Sequence, residues 1–312
     1  MSPSINETYT QFRGTKKRMG QKSENSFREI ERLLDFMKAR GEQFLTYKIC
    51  ASYLEMRKTT VSDYTLQQIY LTIRHFSQWA SLVNSKNELL PKKRRRLKGR
   101  RVPIIVNDDQ VAQIVSRMRT SRSSRPFSAY THSTLVGLLY VTGMRITEAF
   151  INLSDADVNL EDNFIYVREG KAARDRYIPI SVSTSKMLVA YRNAREELFP
   201  NQRDKFFLIQ SGVPCDATSF RRVFARITGE LGFRDLNQKG YETKSLLPHD
   251  LRHSFATNSL SRLHDKDLDV DEQLSKLSII LGHYSIRETY WYIEIVPDLL
   301  AKVMNRRFRN AR

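Results

Sequence analysis

Apolar residues in the first ninety positions recur at helical spacing. Phe27, Ile30, Leu33, Leu34 and Met37 form one stripe, opened by Ser26 with Glu29 at capping-box distance and stopped by Gly41. Leu66, Ile69, Tyr70, Ile73, Phe76 and Trp79 form a second, clearer one behind a Ser62 cap. Leu45–Met56 predicts one more helix between them. Residues 1–23 are polar and basic with no apolar stripe, and read as a flexible arm; a small all-helical domain is expected over 24–90. From residue 104 the pattern is mixed. Helices are predicted from Asn107 or Asp108 through Met118, over Thr131–Val141, and near Ser183–Leu198, Ser219–Leu231, His249–Ser261, Asp271–Leu281 and Ile286–Ile293. Phe164–Val167 and Tyr177–Ile180 read as two short strands joined through a Glu169-Gly170-Lys171 turn. The region 104–312 is thus expected to be mainly α with a small antiparallel sheet.

Charge changes the picture more than hydrophobicity does. Against 34 acidic residues the 312-residue chain carries 52 Lys and Arg, a surplus of +18 that calls for a polyanionic partner, nucleic acid before anionic membrane. No apolar run reaches the ~20 residues that span a bilayer, and the polar N-terminus lacks a secretory apolar core. Only Cys50 and Cys215 are present, which excludes a disulfide framework or a cysteine zinc cluster and points to a reducing, cytoplasmic setting. The surplus concentrates in 91–103, PKKRRRLKGRRVP, where Lys92, Lys93, Arg94, Arg95, Arg96, Lys98, Arg100 and Arg101 stand without an acidic residue. Alone, such a run is as often a solvated linker or a localisation signal. Between two folded segments of a basic chain, it reads as a linker that tracks a DNA backbone.

Four segments of the second region carry candidate chemistry. In Thr142-Gly143-Met144-Arg145 a buried helix ends at a glycine turn, and Arg145 stands at the mouth of the next, where its fork could meet a phosphate. Lys171 sits at the hairpin tip. In Pro248-His249-Asp250-Leu251-Arg252-His253 a helix starts after the proline, so His249 and Arg252 share a face and can both donate to phosphate oxygens, while His253 points elsewhere, packed or capping. Leu281-Gly282-His283 is followed nine residues later by Tyr292, in a run that also holds Tyr284, Tyr290 and Trp291. Taken singly, each has an ordinary structural reading: a surface arginine, a solvated turn lysine, core aromatics.

Their order and spacing resemble the tyrosine recombinase (phage integrase) family of site-specific DNA recombinases over nearly the whole chain. Arg145 in TGMRITE matches the family's first arginine. Lys171 in GKAARDRYIPI matches the hairpin lysine, with the arginine and Ile-Pro-Ile that follow it. His249 and Arg252 in HDLRHSFAT match the H-x-x-R box, and His283 in LGH with Tyr292 completes the set. The resemblance implies a SAM-like helical core-binding domain, a basic linker and an α+β catalytic domain. It implies that Arg145, Arg252 and a histidine clamp the scissile phosphate, and that Tyr292 attacks phosphorus to leave a 3′-phosphotyrosyl bond and a free 5′-hydroxyl. His249 would take the phenolic proton, Lys171 would protonate the leaving oxygen, and His283 would hydrogen-bond the phosphate. Neither metal nor ATP is implied as cofactor. The implied partners are double-stranded DNA with inverted-repeat core sites and, on synapsed DNA, a homotetramer of chains that are monomers or dimers when free, without a membrane; strands exchange through a Holliday junction. Tyr290, on the other side of the helix, remains the alternative nucleophile.

Two features depart from the simplest members. The interval from His249 to His283 is some eight residues longer than usual, with the extra length in Leu263–Val270, where His264 and three aspartates cluster. Only about 23 residues precede the first helix, which leaves out a separate arm-binding domain and favours a two-domain, Xer-like or integron-integrase-like architecture. Residues 294–312, apolar and then basic, are expected to contact a neighbouring protomer. Two other functions compete: a strand-passing nickase with the same chemistry, and a DNA-binding regulator without catalysis.

Overall fold

The structure is a computed structural model and describes residues 3–20, 24–92, 101–121, 125–168, 175–233, 245–264 and 270–294. The chain separates into two compact units, Met1–Gly99 and Arg100–Arg312. Among the described residues no helix is long and apolar enough to cross a membrane.

The first unit contains α1 (Ile5–Arg18), α2 (Glu24–Lys38), α3 (Tyr47–Lys58) and α4 (Asp63–Val83). Thr46 and Ser62 cap α3 and α4 by accepting backbone amides one turn on. Phe27, Ile30, Leu33 and Met37 of α2 pack with Tyr53 of α3 and Ile73 and Phe76 of α4. The buried Glu29 carboxylate is satisfied within this core: Tyr53 donates to it at 2.7 Å and Arg57 at 3.0 Å. The second and third helices therefore share a polar tie as well as an apolar seam.

Within the stretch read as a flexible arm, residues 3–20 are described, and most of them form a helix. Ser4 and Glu7 build a reciprocal capping box, and α1 follows it. Ile5, Thr8, Tyr9 and Phe12 lie on one face at i, i+3, i+4 and i+7; Tyr9 and Phe12 are buried against Phe76, and the Tyr9 hydroxyl donates to Glu31 at 2.8 Å. A stripe of two aromatics, one isoleucine and one threonine is short, and the charges around it hide it. It becomes a core face because α2 and α4 offer apolar surface to it. The start of α2 also differs, at Glu24 rather than after Ser26.

The second unit holds α5 (Asp108–Arg119), α6 (Pro126–Thr142), β1 (Val158–Asn159), β2 (Phe164–Val167), β3 (Arg176–Pro179), α7 (Val182–Leu198), α8 (Ala217–Glu230), α9 (Pro248–His264), α10 (Val270–Leu281) and α11 (Arg287–Glu294). Helix α6 is buried almost all round, which fits its lack of charge after Pro126. The sheet is antiparallel in the order β1-β2-β3, pairing Ile165 with Ile178 and Val167 with Arg176. Strand alternation puts Ile165, Val167, Ile178 and Arg176 on the buried face and Tyr177 on the exposed one. An arginine at an inward strand position needs a partner inside. It finds one in the candidate site.

Candidate active site

Three turns converge. The first ends α6 at Gly143, with φ of +62°. A Cβ there would lie 2.4 Å from the Phe255 ring and 2.9 Å from Leu281, so glycine meets both the backbone and the space requirement. The turn delivers Arg145, which donates to Glu148 at 2.9 Å and to the Gly282 carbonyl at 3.1 Å. Glu148 follows in a short π-helical turn, Glu148–Asn152, and is buried. It also accepts two bonds from Arg176, at 2.7 and 3.1 Å, while Arg176 Nε donates to the Ile280 carbonyl. Burial raises the pKa of Glu148, yet the bonds from Arg176 and Arg145 outweigh it and hold the carboxyl below the ordinary range. One buried carboxylate thus orients two guanidinium groups.

The second turn is the start of α9. Arg252 is 2 % exposed and donates to the Gly143 and Leu281 carbonyls, at 2.7 Å each. Burial and then the charge of Arg145 lower its pKa to about 10. His249 is shifted below its usual value by burial first and by Arg252 second, so at neutral pH it is an uncharged imidazole able to accept a proton. His253 does not point elsewhere. Its ring lies 4.7 Å from His249, 5.1 Å from Trp291 and 5.5 Å from Tyr292, and burial followed by the neighbouring His249 and Arg252 charges pushes its pKa down to about 3.

The third turn is Leu281-Gly282-His283. Gly282 has φ of +63°, and a Cβ would approach the Arg176 guanidinium to 2.9 Å. His283 Nδ1 shares a 2.7 Å hydrogen bond with Thr289, which is buried. The imidazole stacks parallel on Tyr292, centroids 6.0 Å apart and planes 6° apart. Tyr292 is 3 % exposed. Its pKa is raised by burial; the charge and hydrogen bond of Arg252, and then the Arg145 charge, pull the other way. Tyr290 is half-buried against the same small apolar cluster in which Tyr292 is a buried member, while Tyr284 is exposed.

The structure therefore brings Arg145, His249, Arg252, His283 and Tyr292 into one neighbourhood. Lys171 lies outside the described residues, as do Lys93, Arg94, Arg95, Arg96, Lys98 and Arg100, the side chains of 264–269 and residues 295–312. Arg101 is described, and it meets a carboxylate: both terminal nitrogens reach Asp250, at 2.5 and 2.6 Å. A buried carboxylate thus stands within reach of its fork. Glu148, Arg176, Asp250 and Thr289 are partners that the linear reading passed over. Glu148 stands three residues after Arg145, and Arg176 falls on the inward side of β3; those two spacings were the available signals.

The phage integrase family model matches residues 105–297, well over half of the chain. The chain belongs to that family. This recombinase is 30% identical over 239 residues to a putative integrase/recombinase, y4rE, of Sinorhizobium fredii, covering 76% of the chain and 74% of that relative. It is 26% identical to tyrosine recombinase XerA of Pyrococcus horikoshii, covering 81% and 76% of the two chains. Among solved structures, the Tn1549 transposon integrase in complex with transposon right end DNA matches in fold with a TM-score of 0.66 at 17% identity, over 97% of this chain and 99% of that one. It is an enzyme of the tyrosine recombinase class, which binds DNA, cuts it and rejoins it in site-specific recombination.

Proposed function

We propose that Tyr292 is the nucleophile of a two-domain recombinase that exchanges strands between inverted-repeat sites, with Arg145, Lys171, His249, Arg252 and His283 completing the machinery. The observation that carries this reading is the placing of Tyr292: a buried phenol stacked on His283, in the field of Arg252 and Arg145. A phosphodiester repels nucleophiles through its charge. Two guanidinium groups held by fixed carbonyls and by Glu148 supply positive charge that needs no reorganisation as the pentacoordinate state forms. The Tyr292 oxygen bonds to phosphorus, its proton passing to neutral His249, and the bond from phosphorus to the 5′-oxygen breaks as Lys171 protonates that oxygen. A 5′-hydroxyl from the partner duplex then attacks the phosphotyrosine and reverses the sequence.

Each chain supplies one such tyrosine, and exchanging two duplexes requires four strand cleavages. A homotetramer on synapsed DNA, two protomers per site, meets that requirement. The enzyme would act where the host DNA lies, in the cytoplasm. The basic run is assigned to the phosphate backbone through Lys92, Lys93, Arg94, Arg95, Arg96, Lys98 and Arg100, which give affinity without base readout.

The test is covalent capture on nicked suicide duplexes drawn from a random-sequence pool, followed by peptide mapping. A 3′-phosphotyrosyl peptide containing Tyr292 is expected. An adduct on Tyr290 would move the nucleophile, and a chain that binds DNA without any adduct would overturn the catalytic reading.

A further inference from the structure

The segment that enters the second unit from the basic run lies along α9, and α9 holds it with one side chain per turn. Asp250, Ser254, Asn258 and Arg262 recur every four residues and so line one side of the helix. Ser254 Oγ accepts the Val106 amide at 2.9 Å. Asn258 donates to the Val106 carbonyl and to the Tyr140 hydroxyl, each at 3.0 Å. Arg262 donates to Asp108 at 2.7 Å, and Tyr140 donates to the other Asp108 oxygen at 2.6 Å. At the head of this ladder stands the bidentate pair of Arg101 with Asp250.

Asp250 is fully buried and lies between His249 and Arg252 in sequence. Its second oxygen also accepts the Leu247 amide at 2.9 Å, and Arg101 Nη2 donates to the Ser245 carbonyl at 2.9 Å. The Arg101 fork therefore closes the turn, residues 245–250, from which α9 starts. A forked pair of this kind has essentially one geometry, which a lysine's point charge cannot reproduce. Drawing the guanidinium away to a phosphate would leave a buried carboxylate unpaired, a costly state.

We propose that Arg101 is a positioning residue: paired with Asp250 it fixes the start of α9, and so sets the His249 imidazole and the Arg252 guanidinium, and it is not one of the phosphate-binding residues of the basic run. The proposal rests on the catalytic reading of His249 and Arg252 given above. It divides the run into a DNA-facing part, ending at Arg100, and a last arginine that faces the enzyme's own catalytic helix. The segment after the run is thereby laced to the element that carries two of the candidate catalytic groups.

The test uses the full chain and a nicked suicide duplex recovered from the random pool by wild-type covalent capture. Single-turnover cleavage is measured at saturating duplex, and Kd with its salt slope is measured on the same variants carrying Tyr292→Phe. Because Arg101→Ala strands a buried charge and risks unfolding, the informative variants are Arg101→Lys and the neutral pair Arg101→Gln with Asp250→Asn. Both are expected to cleave about tenfold or more slowly at saturation, as misplaced catalytic groups do, with Kd and salt slope unchanged. A wild-type rate at saturation in both variants, with weaker binding and a salt slope shallower by about 0.9, the share of one neutralised phosphate, in the neutral pair, would overturn the proposal. Wild-type capture through a residue other than Tyr292 would instead overturn the site reading beneath it, and the proposal with it.

Discussion

Burial raises the pKa of Tyr292 even though Arg252 and Arg145 oppose the shift, so the phenol rests protonated, and in the proposed mechanism it loses its proton as the bond to phosphorus forms. Tyr292→Phe is accordingly expected to abolish the covalent adduct and leave duplex affinity within about twofold, since in that mechanism the hydroxyl acts on phosphorus rather than on binding; gel assays of adduct and of retarded duplex read the two separately. His249 is the complementary half. Its pKa lies below the usual 6.5, so the neutral, proton-accepting form persists to lower pH than a free imidazole would allow. The single-turnover rate should therefore fall only as pH drops through that lowered value, and an acidic limb centred at or above 6.5 would contradict the assignment. Lys171→Ala should be slow on a natural phosphodiester and recover selectively on a 5′-bridging phosphorothiolate, whose leaving group needs no proton. Equal impairment on both substrates would remove Lys171 from the role of acid.

At the scale of elements, the site is a knot of three turns tied through backbone carbonyls. Arg252 joins the Gly143 and Leu281 carbonyls to α9, and Glu148 joins the α6 turn to β3 through Arg176. Breaking a buried ion pair leaves a charge without a partner, which costs about 3–5 kcal/mol. Glu148→Ala should destabilise the second unit by about that much, read as a lower denaturant midpoint. The sign with pH follows from the lowered carboxyl pKa: the contribution is present above the unfolded value near 4.5 and is lost as pH falls through the folded one. Gly143→Ala combines a left-handed backbone with a 2.4 Å clash against Phe255, so both stability and cleavage should drop. Unchanged thermal unfolding in that variant would show that α6 can end some other way.

For the whole molecule, the net charge of +18 and its concentration in one segment make the salt dependence of binding the informative observable. Neutralising Lys92 through Arg100 should weaken binding to every sequence alike and flatten log Kd against log salt by about 0.9 for each phosphate left without its cation. Affinity that stays the same would free the run from the DNA backbone. The helix α1 makes a separate prediction. Tyr9→Ala with Phe12→Ala empties part of the first unit's core and should cost roughly 3–5 kcal/mol for each buried ring, visible as earlier unfolding of that unit.

Much of this was legible in the linear order. Helix faces such as Ile69, Ile73 and Phe76, and caps such as Ser62 and Asn107, are local matters of period and hydrogen-bonding chemistry, and they fold as the pattern predicts. Arg145, His249, Arg252, His283 and Tyr292 each sit in a short motif, the motifs keep their order, and the fold brings those five together; their catalytic roles, and that of Lys171, belong to the proposal. What tertiary structure alone decided is partnership. Whether Ile5, Tyr9 and Phe12 make a core face depends on apolar surface supplied by α2 and α4. Whether Arg101 meets a phosphate or Asp250 depends on a meeting of residues 149 positions apart in the chain. Glu148 serves two arginines only because β3 and the α6 turn are brought to the same place. Period and capping are properties of neighbouring residues; the partner of a buried charge is set by the packing of distant ones, which no local pattern contains.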